Sequence, residues 1–317
     1  MTLFLKDEDV AQCVTMDGML EAIESMQQHY GDGQAHNMTR RKIIADSGML
    51  SVMGGGLFHM NLLGVKTYTV VKGSYSFQVS LYDANTGELL LYTQANRLGQ
   101  LRTGASTGVT VKHLANAGDV TVGIIGTGGQ APTQLEAVSK VRNIKSIKAF
   151  SRTLDRREAF ASKMTETMGI DVSGAATNEE AVRDCDIVLC VAATMDPVVE
   201  GGWLKDGSTV IGAGPTTWRA REVDEATIVR ADKIIVDSNE QAAIEAGDIC
   251  NAVDKGIIQW SKVHELRHVV SGAVSGRDNE GQIVYAKIMG TGVADVAAAK
   301  LAYDCAKAQG LGREMDW

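Results

Sequence analysis

Prolines are scarce, three in 317 residues, and with no low-complexity tract in view this argues against disordered linkers. An excess of positive charge is lacking too. The 31 Lys and Arg stand against 39 Asp and Glu, a net charge of −8, which leaves no basic footprint for nucleic acid or an anionic membrane surface. No stretch reaches the ~18 consecutive apolar residues of a membrane span. The opening MTLFLKDEDV turns acidic after one short apolar patch and has no secretory core, so a cytoplasmic protein is expected. Cys13, Cys185, Cys190, Cys250 and Cys305 are odd in number and scattered without a C-x-x-C pair, a pattern of reduced thiols rather than of a disulfide or zinc framework. G-x-S-x-G, Walker A and Cys–His signatures are missing, so nothing supports a hydrolase or a kinase. What remains is small-molecule chemistry and self-association, in a chain whose 44% hydrophobic and 22% charged residues allow a sizeable core and two domains.

Asp119–Ala137, DVTVGIIGTGGQAPTQLEA, organises the rest. Val120, Val122, Ile124 and Ile125 read as a buried strand, followed at once by glycines and a helix-compatible stretch. Gly126 can take a turn conformation closed to other residues, Gly128 lets the backbone approach a pyrophosphate, and Ala131 keeps the helix close to the strand. Gly129 and Gln130 complete the loop, and a pyrophosphate would rest on the free N–H groups of the helix start. Glycine-rich loops often only turn the chain, but the strand before and helix after favour a dinucleotide-binding turn.

Before this turn, residues 19–30 carry a helical pattern, and the segments 41–45, 49–53, 64–71, 77–82 and 89–92 read as antiparallel strands, with Asn85-Thr86-Gly87 turning the last hairpin. Residues 101–115 read as a helix whose first turn is rich in small residues. After it, strands at 144–150, 187–192, 209–213 and 233–237 alternate with helical stretches. That alternation implies right-handed βαβ crossovers and an α/β fold, a Rossmann-type doubly wound parallel sheet preceded by an antiparallel α+β region. Ligands bind at the carboxyl ends of such strands, where Ser151, Thr194, Gly214 and Ser238 fall and Asp237 closes its strand. Where dinucleotide folds usually place an acid for the ribose hydroxyls, this chain has Ser151, Arg152 and Thr153. A hydroxyl and a guanidinium suit a 2′-phosphate, so NADP(H) is favoured over NAD(H).

Lys66 lies in a predicted strand among apolar neighbours, where a charge is costly unless paired and where burial would bring its pKa toward neutrality. Arg40 and Arg41 precede a strand and Arg102 opens a helix; two such cations could clamp a carboxylate. His264, Glu265 and His268 spell H-E-L-R-H, but the segment runs into a strand-like stretch and a glycine turn instead of a sustained zincin helix, so no metal is assigned.

Taken together, LGVK, LRTGAS, GIIGTGGQAPTQLEA, FSRT, VDSNEQAAIEAGD and the closing GTGVADVAAAKLAY resemble the ornithine cyclodeaminase/mu-crystallin family, in the family's order and over nearly the whole chain. The resemblance implies a substrate and dimerisation domain over 1–116 completed by the C-terminal helix 293–317, a Rossmann domain over 117–292, and a homodimer. It implies that Lys66 touches the substrate carboxylate or reacting nitrogen and that Arg40 and Arg102 bind the carboxylate, with Arg41 replacing Arg40 if the register slips by one. Thr103 and Ala105 would accompany Gly128, Gly129 and Gln130 around the pyrophosphate. Two departures bear on the reaction: cyclodeaminases carry a glutamate where this chain has Ser51, and an aspartate at Gly214 or its neighbour. Members without these acids resemble imine reductases and amino-acid dehydrogenases. The expectation is therefore an NAD(P)H-dependent reductase of small imino or ketimino acids with Lys66 as proton donor or polariser. Iminosuccinate is attractive if Arg40, Arg41 and Arg102 face one pocket. The alternatives are an NAD-using amino-acid cyclodeaminase with acids such as Asp237 or Glu222 supplied from elsewhere, and a mu-crystallin-like binder of NADP(H) and a small ligand.

Overall fold

Met16, Met19, Ile23, Met26 and Tyr30 recur at helical spacing, and all five are buried. They form one face of a helix capped by the Thr15 hydroxyl, which accepts the Gly18 N–H at 3.2 Å. A computed structural model describes residues 1–316. In chain order it contains strand β1 (Thr2–Leu5), helices α1 (Asp7–Cys13) and α2 (Met16–Gly31), then strands β2 (Ala35–Ala45), β3 (Gly48–Leu57), β4 (Leu62–Val71), β5 (Ser74–Asp83) and β6 (Leu89–Gln94). Helix α3 (Asn96–Leu114) leads to β7 (Asp119–Ile125), α4 (Ala131–Val141), β8 (Asn143–Phe150), α5 (Leu154–Met168), β9 (Asp171–Gly174), α6 (Asn178–Val182) and β10 (Ile187–Cys190). The chain continues through β11 (Thr209–Gly212), α7 (Glu225–Arg230), β12 (Lys233–Val236), α8 (Asn239–Glu245), α9 (Gly247–Asp254), β13 (Val263–Glu265), α10 (Leu266–Val270) and β14 (Val284–Lys287). It closes with α11 (Gly292–Gln309) and β15 (Arg313–Met315).

Two units result: Met1–Ser106 together with the chain from Gly290 on, and Thr107–Met289. The first boundary falls inside α3, ahead of the expected 116/117. In the first unit a seven-stranded sheet has the order β15-β1-β6-β5-β4-β3-β2. Strands β2 to β6 pair antiparallel with one another, whereas β6 pairs parallel with β1. The alanine-rich helix α11 and the apolar face of α2 cover this sheet.

In the second unit an eight-stranded sheet has the order β13-β12-β14-β11-β10-β7-β8-β9, with every pair parallel. Strand order reverses between β7 and β10, and the carboxyl ends of strands at such a reversal are where a doubly wound sheet leaves its ligand crevice. The strands β1, β9, β13, β14 and β15 have three or four residues each. The sequence pattern does not predict them, although it does predict the equally short β10, β11 and β12, which are rich in Ile, Val and Leu. Helix α3 opens at Asn96 rather than at the predicted Leu101, so Gly99 lies within it. A Cβ at Gly99 would come within 3.6 Å of the Lys66 ammonium.

Candidate functional site

The glycine turn follows directly from β7. Gly126 has φ +106°, and a Cβ there would meet the Ala192 nitrogen at 2.7 Å, so only glycine permits both the turn and the close passage of the chain after β10. Around Gly128, by contrast, nothing lies within 4 Å of a Cβ position, which leaves the backbone open to a ligand. Helix α4 starts at buried Ala131 behind Gln130, whose side chain makes no capping bond and whose buried Oε1 accepts none either. At the α4 start the Ala131 N–H already donates to the Gly128 carbonyl at 3.1 Å and Pro132 has no N–H, so the open backbone lies in the glycine loop around Gly128.

Beside it opens a cleft of about 380 Å³, lined among others by Gly126, Gly128, Ser151, Arg152, Thr153 and Thr194. The Ser151 hydroxyl donates to the Thr153 carbonyl at 3.2 Å and that of Thr194 to the Asp196 carbonyl at 2.6 Å. Exposed Arg152 stands at the rim with Arg156, a second guanidinium from the first turn of α5 that the sequence reading does not pick out. These residues fit a nicotinamide dinucleotide: an open glycine loop for the pyrophosphate and two cations beyond β8. Asp237 is tied differently, its Oδ2 accepting the Met289 N–H at 2.9 Å.

In the first unit the structure gathers Arg40, Lys66 and Arg102, all buried, around a fourth charged side chain, Asp295 from the first turn of α11. Lys66 projects from β4 and donates to Asp295 Oδ1 at 2.9 Å; Arg102 Nε–H donates to the same oxygen at 2.8 Å. Arg40 reaches the Gly290 carbonyl at 3.1 Å and lies against the Met53 sulfur. Gly290 has φ +78°, and a Cβ there would fall 2.3 Å from an Arg102 nitrogen. The positive φ favours glycine there, and its missing side chain leaves room for the Arg102 guanidinium. Burial brings Lys66 down to about 8, helped by Arg102 and opposed by Asp295, so its ammonium can give up a proton near neutrality. Arg41 does not join this group. The β2–β3 register shifts between Met38 and Arg41, Arg40 turns inward, and Arg41 is exposed. Thr103 and Ala105 lie on α3, where the Thr103 hydroxyl donates to the Gly99 carbonyl at 2.7 Å and Ala105 is fully buried.

Residues 1–310 match the ornithine cyclodeaminase/mu-crystallin family. The chain belongs to this family. Among its relatives is the Delta(1)-pyrroline-2-carboxylate reductase of Bacillus cereus, 33% identical over 266 residues that cover 81% of this chain and 82% of the relative. The structure of Thermococcus litoralis Delta(1)-pyrroline-2-carboxylate reductase, in complex with NADH and L-proline, superposes with a TM-score of 0.95 at 30% identity and covers 99% of this chain and all of its own. An archaeal alanine dehydrogenase dimer with bound NAD gives a TM-score of 0.94 at 30% identity, over 100% and 99% of the two chains.

Neither position that carries an acid in cyclodeaminases has one here: Ser51 stands at the first, and Gly214 or its neighbour at the second. Ser51 is fully buried on β3, opposite Tyr68 of β4. A Cβ at Gly214 would meet Glu222 Oε1 at 2.5 Å and the Ala192 carbonyl at 2.6 Å. Glu222 is itself engaged: it accepts the Gly214 N–H at 3.0 Å and contacts the Lys287 ammonium, which also lies 3.3 Å from Asp248. The H-E-L-R-H segment splits between β13, with His264, and the five-residue helix α10, with His268. Glu265 is drawn to the Asn239 N–H and to Arg267.

Proposed function

We propose that the protein is an NAD(P)H-dependent reductase of small imino and ketimino acids, running in reverse as an amino-acid dehydrogenase. The observation that carries this reading is the buried set Arg40, Lys66 and Arg102, cations on three separate elements held together in a fold with a dinucleotide turn. Relatives that reduce a cyclic imino acid or are named alanine dehydrogenase support it. Arg40 and Arg102 hold the substrate carboxylate, and Lys66 polarises or protonates the imine nitrogen from an ammonium poised near neutrality. The bound nicotinamide supplies the hydride that the C=N carbon takes up. A cyclodeaminase would need acids at Ser51 and at Gly214 or its neighbour, and the replacements considered, Glu222 and Asp237, already serve backbone N–H groups. A dicarboxylate such as iminosuccinate loses its support with Arg41 turned to solvent.

Arg152 and Arg156 at the cleft rim support NADP(H) over NAD(H). Arg152→Ala is expected to cut the preference for NADPH over NADH by roughly tenfold, read as the ratio of kcat/KM values; an unaltered ratio removes the 2′-phosphate assignment. A homodimer is supported by the long edge strand β2, where Ile43 and Ile44 are 67% and 78% exposed. The function itself is tested by following NAD(P)H oxidation with preformed cyclic ketimines, and with pyruvate, oxaloacetate or glyoxylate plus ammonia or methylamine. Turnover with one of them is expected. A flat trace from protein that binds the cofactor overturns the reading in favour of a binding protein.

A further inference from the structure

Asp295 is the member of the buried charged group that sequence reading misses, and its two oxygens are used unequally. Oδ1 takes both Lys66 and Arg102, whereas Oδ2, equally sealed from solvent, accepts no hydrogen bond among the described residues. Burial pushes the Asp295 carboxyl up, but Arg102 and Lys66 outweigh it and hold the group below the usual aspartate range, so it is anionic. The N-terminus of the 18-residue α11 favours the same charge state. Asn37 Oδ1 already serves the Gly292 and Val293 N–H groups at that end, so Asp295 is not needed as a cap. An ionised, buried oxygen without a donor calls for one from outside the chain. Its neighbours Lys66 and Arg102 are cations suited to a carboxylate. A ligand matching both features carries a carboxylate and, one atom away, a positively polarised N–H.

We propose that Asp295 Oδ2 accepts an N–H of the substrate's iminium or ammonium nitrogen, so that Asp295 is a substrate-binding residue selecting α-nitrogen acids over acids of the same shape without a donor there. This rests on the reductase reading and adds to it the group that recognises the nitrogen. An iminium held this way keeps its proton, and its carbon stays electrophilic.

The test compares two ligands of one ring size, L-proline and (S)-tetrahydrofuran-2-carboxylate, whose ring oxygen has no hydrogen. Their affinities are measured calorimetrically on the protein loaded with oxidised cofactor. Wild type is expected to favour proline by at least about tenfold, the worth of one charge-assisted hydrogen bond. In Asp295→Asn the ratio is expected to collapse to within about threefold, while any change in carboxylate binding moves both ligands together and cancels. A wild-type ratio near one, or an unchanged ratio in the folded variant, overturns the proposal and leaves the reductase reading standing if wild type still reduces a cyclic ketimine. The wild-type ratio alone decides if the variant does not fold. Failure of wild type to bind either ligand or to reduce any imine overturns both.

Discussion

Lys66 and Lys287 are both sealed from solvent, at 3% and 1% exposure, one on each of the two sheets, and their surroundings are opposite in charge. Around Lys287 stand two carboxylates, Glu222 in contact and Asp248 at 3.3 Å. Burial pushes its pKa down, yet the two acids outweigh this and hold the ammonium above the usual lysine range. Burial and the neighbouring Asp248 push Glu222 up in turn, against the pull of Lys287. Around Lys66 the ratio inverts: it shares one oxygen of Asp295 with Arg102, feels Arg40 as well, and falls to about 8. One cation between two acids is a lysine that keeps its proton throughout the neutral range. Two cations on one carboxylate oxygen leave a lysine able to release its proton and positive charge able to take an anion.

The contrast breaks first at the two lysines themselves. Lys66→Ala is expected to lower the reductive kcat by roughly 10²–10⁴-fold while cofactor binding persists; turnover at the wild-type rate would reduce Lys66 to a packing residue. Lys287→Met strands two buried carboxylates and should cost about 3–5 kcal/mol of stability, visible as a lower urea midpoint. A midpoint close to wild type would mean that Lys287 does not hold these acids as described. Next in size is the pH profile. Reduction requires protonated Lys66, so its kcat/KM should hold steady below about pH 7 and decline above about pH 8, while amino-acid oxidation rises over the same interval. Because Asp295 raises the Lys66 pKa, Asp295→Asn should carry that break to lower pH. A break that stays put would detach the titration from this pair. The smallest effect sharpens the comparison within one strand: Arg41→Ala should leave kcat/KM within about twofold, as an exposed position away from special contacts does. Arg40→Ala should raise KM for the acid by tenfold or more, roughly the worth of one bond to a charged group.

Legibility in the sequence followed how local the cause is. The Gly126 turn is set by backbone conformation between adjacent strand and helix, so DVTVGIIGTGGQAPTQLEA displays it in one stretch. Lys66 stands out as a charge in an apolar strand. Arg40 and Arg41 could not be separated, because inward and outward positions alternate along a strand only until a bulge, and β2 shifts register between Met38 and Arg41. Asp295 reads as an ordinary acid in the first turn of an alanine-rich helix. Its partners Lys66 and Arg102 lie 229 and 193 residues away, a relation no local pattern carries. Lys287 was hidden in the same way, with its carboxylates on two other segments.

The most direct measurement of the central claim is a crystal structure of the protein with oxidised cofactor and a bound amino acid. The account predicts the amino-acid carboxylate within hydrogen-bond distance of Arg40 or Arg102, and the nitrogen near Lys66 and Asp295. A ligand ordered elsewhere, with those four side chains unchanged around an untouched Asp295, would contradict it.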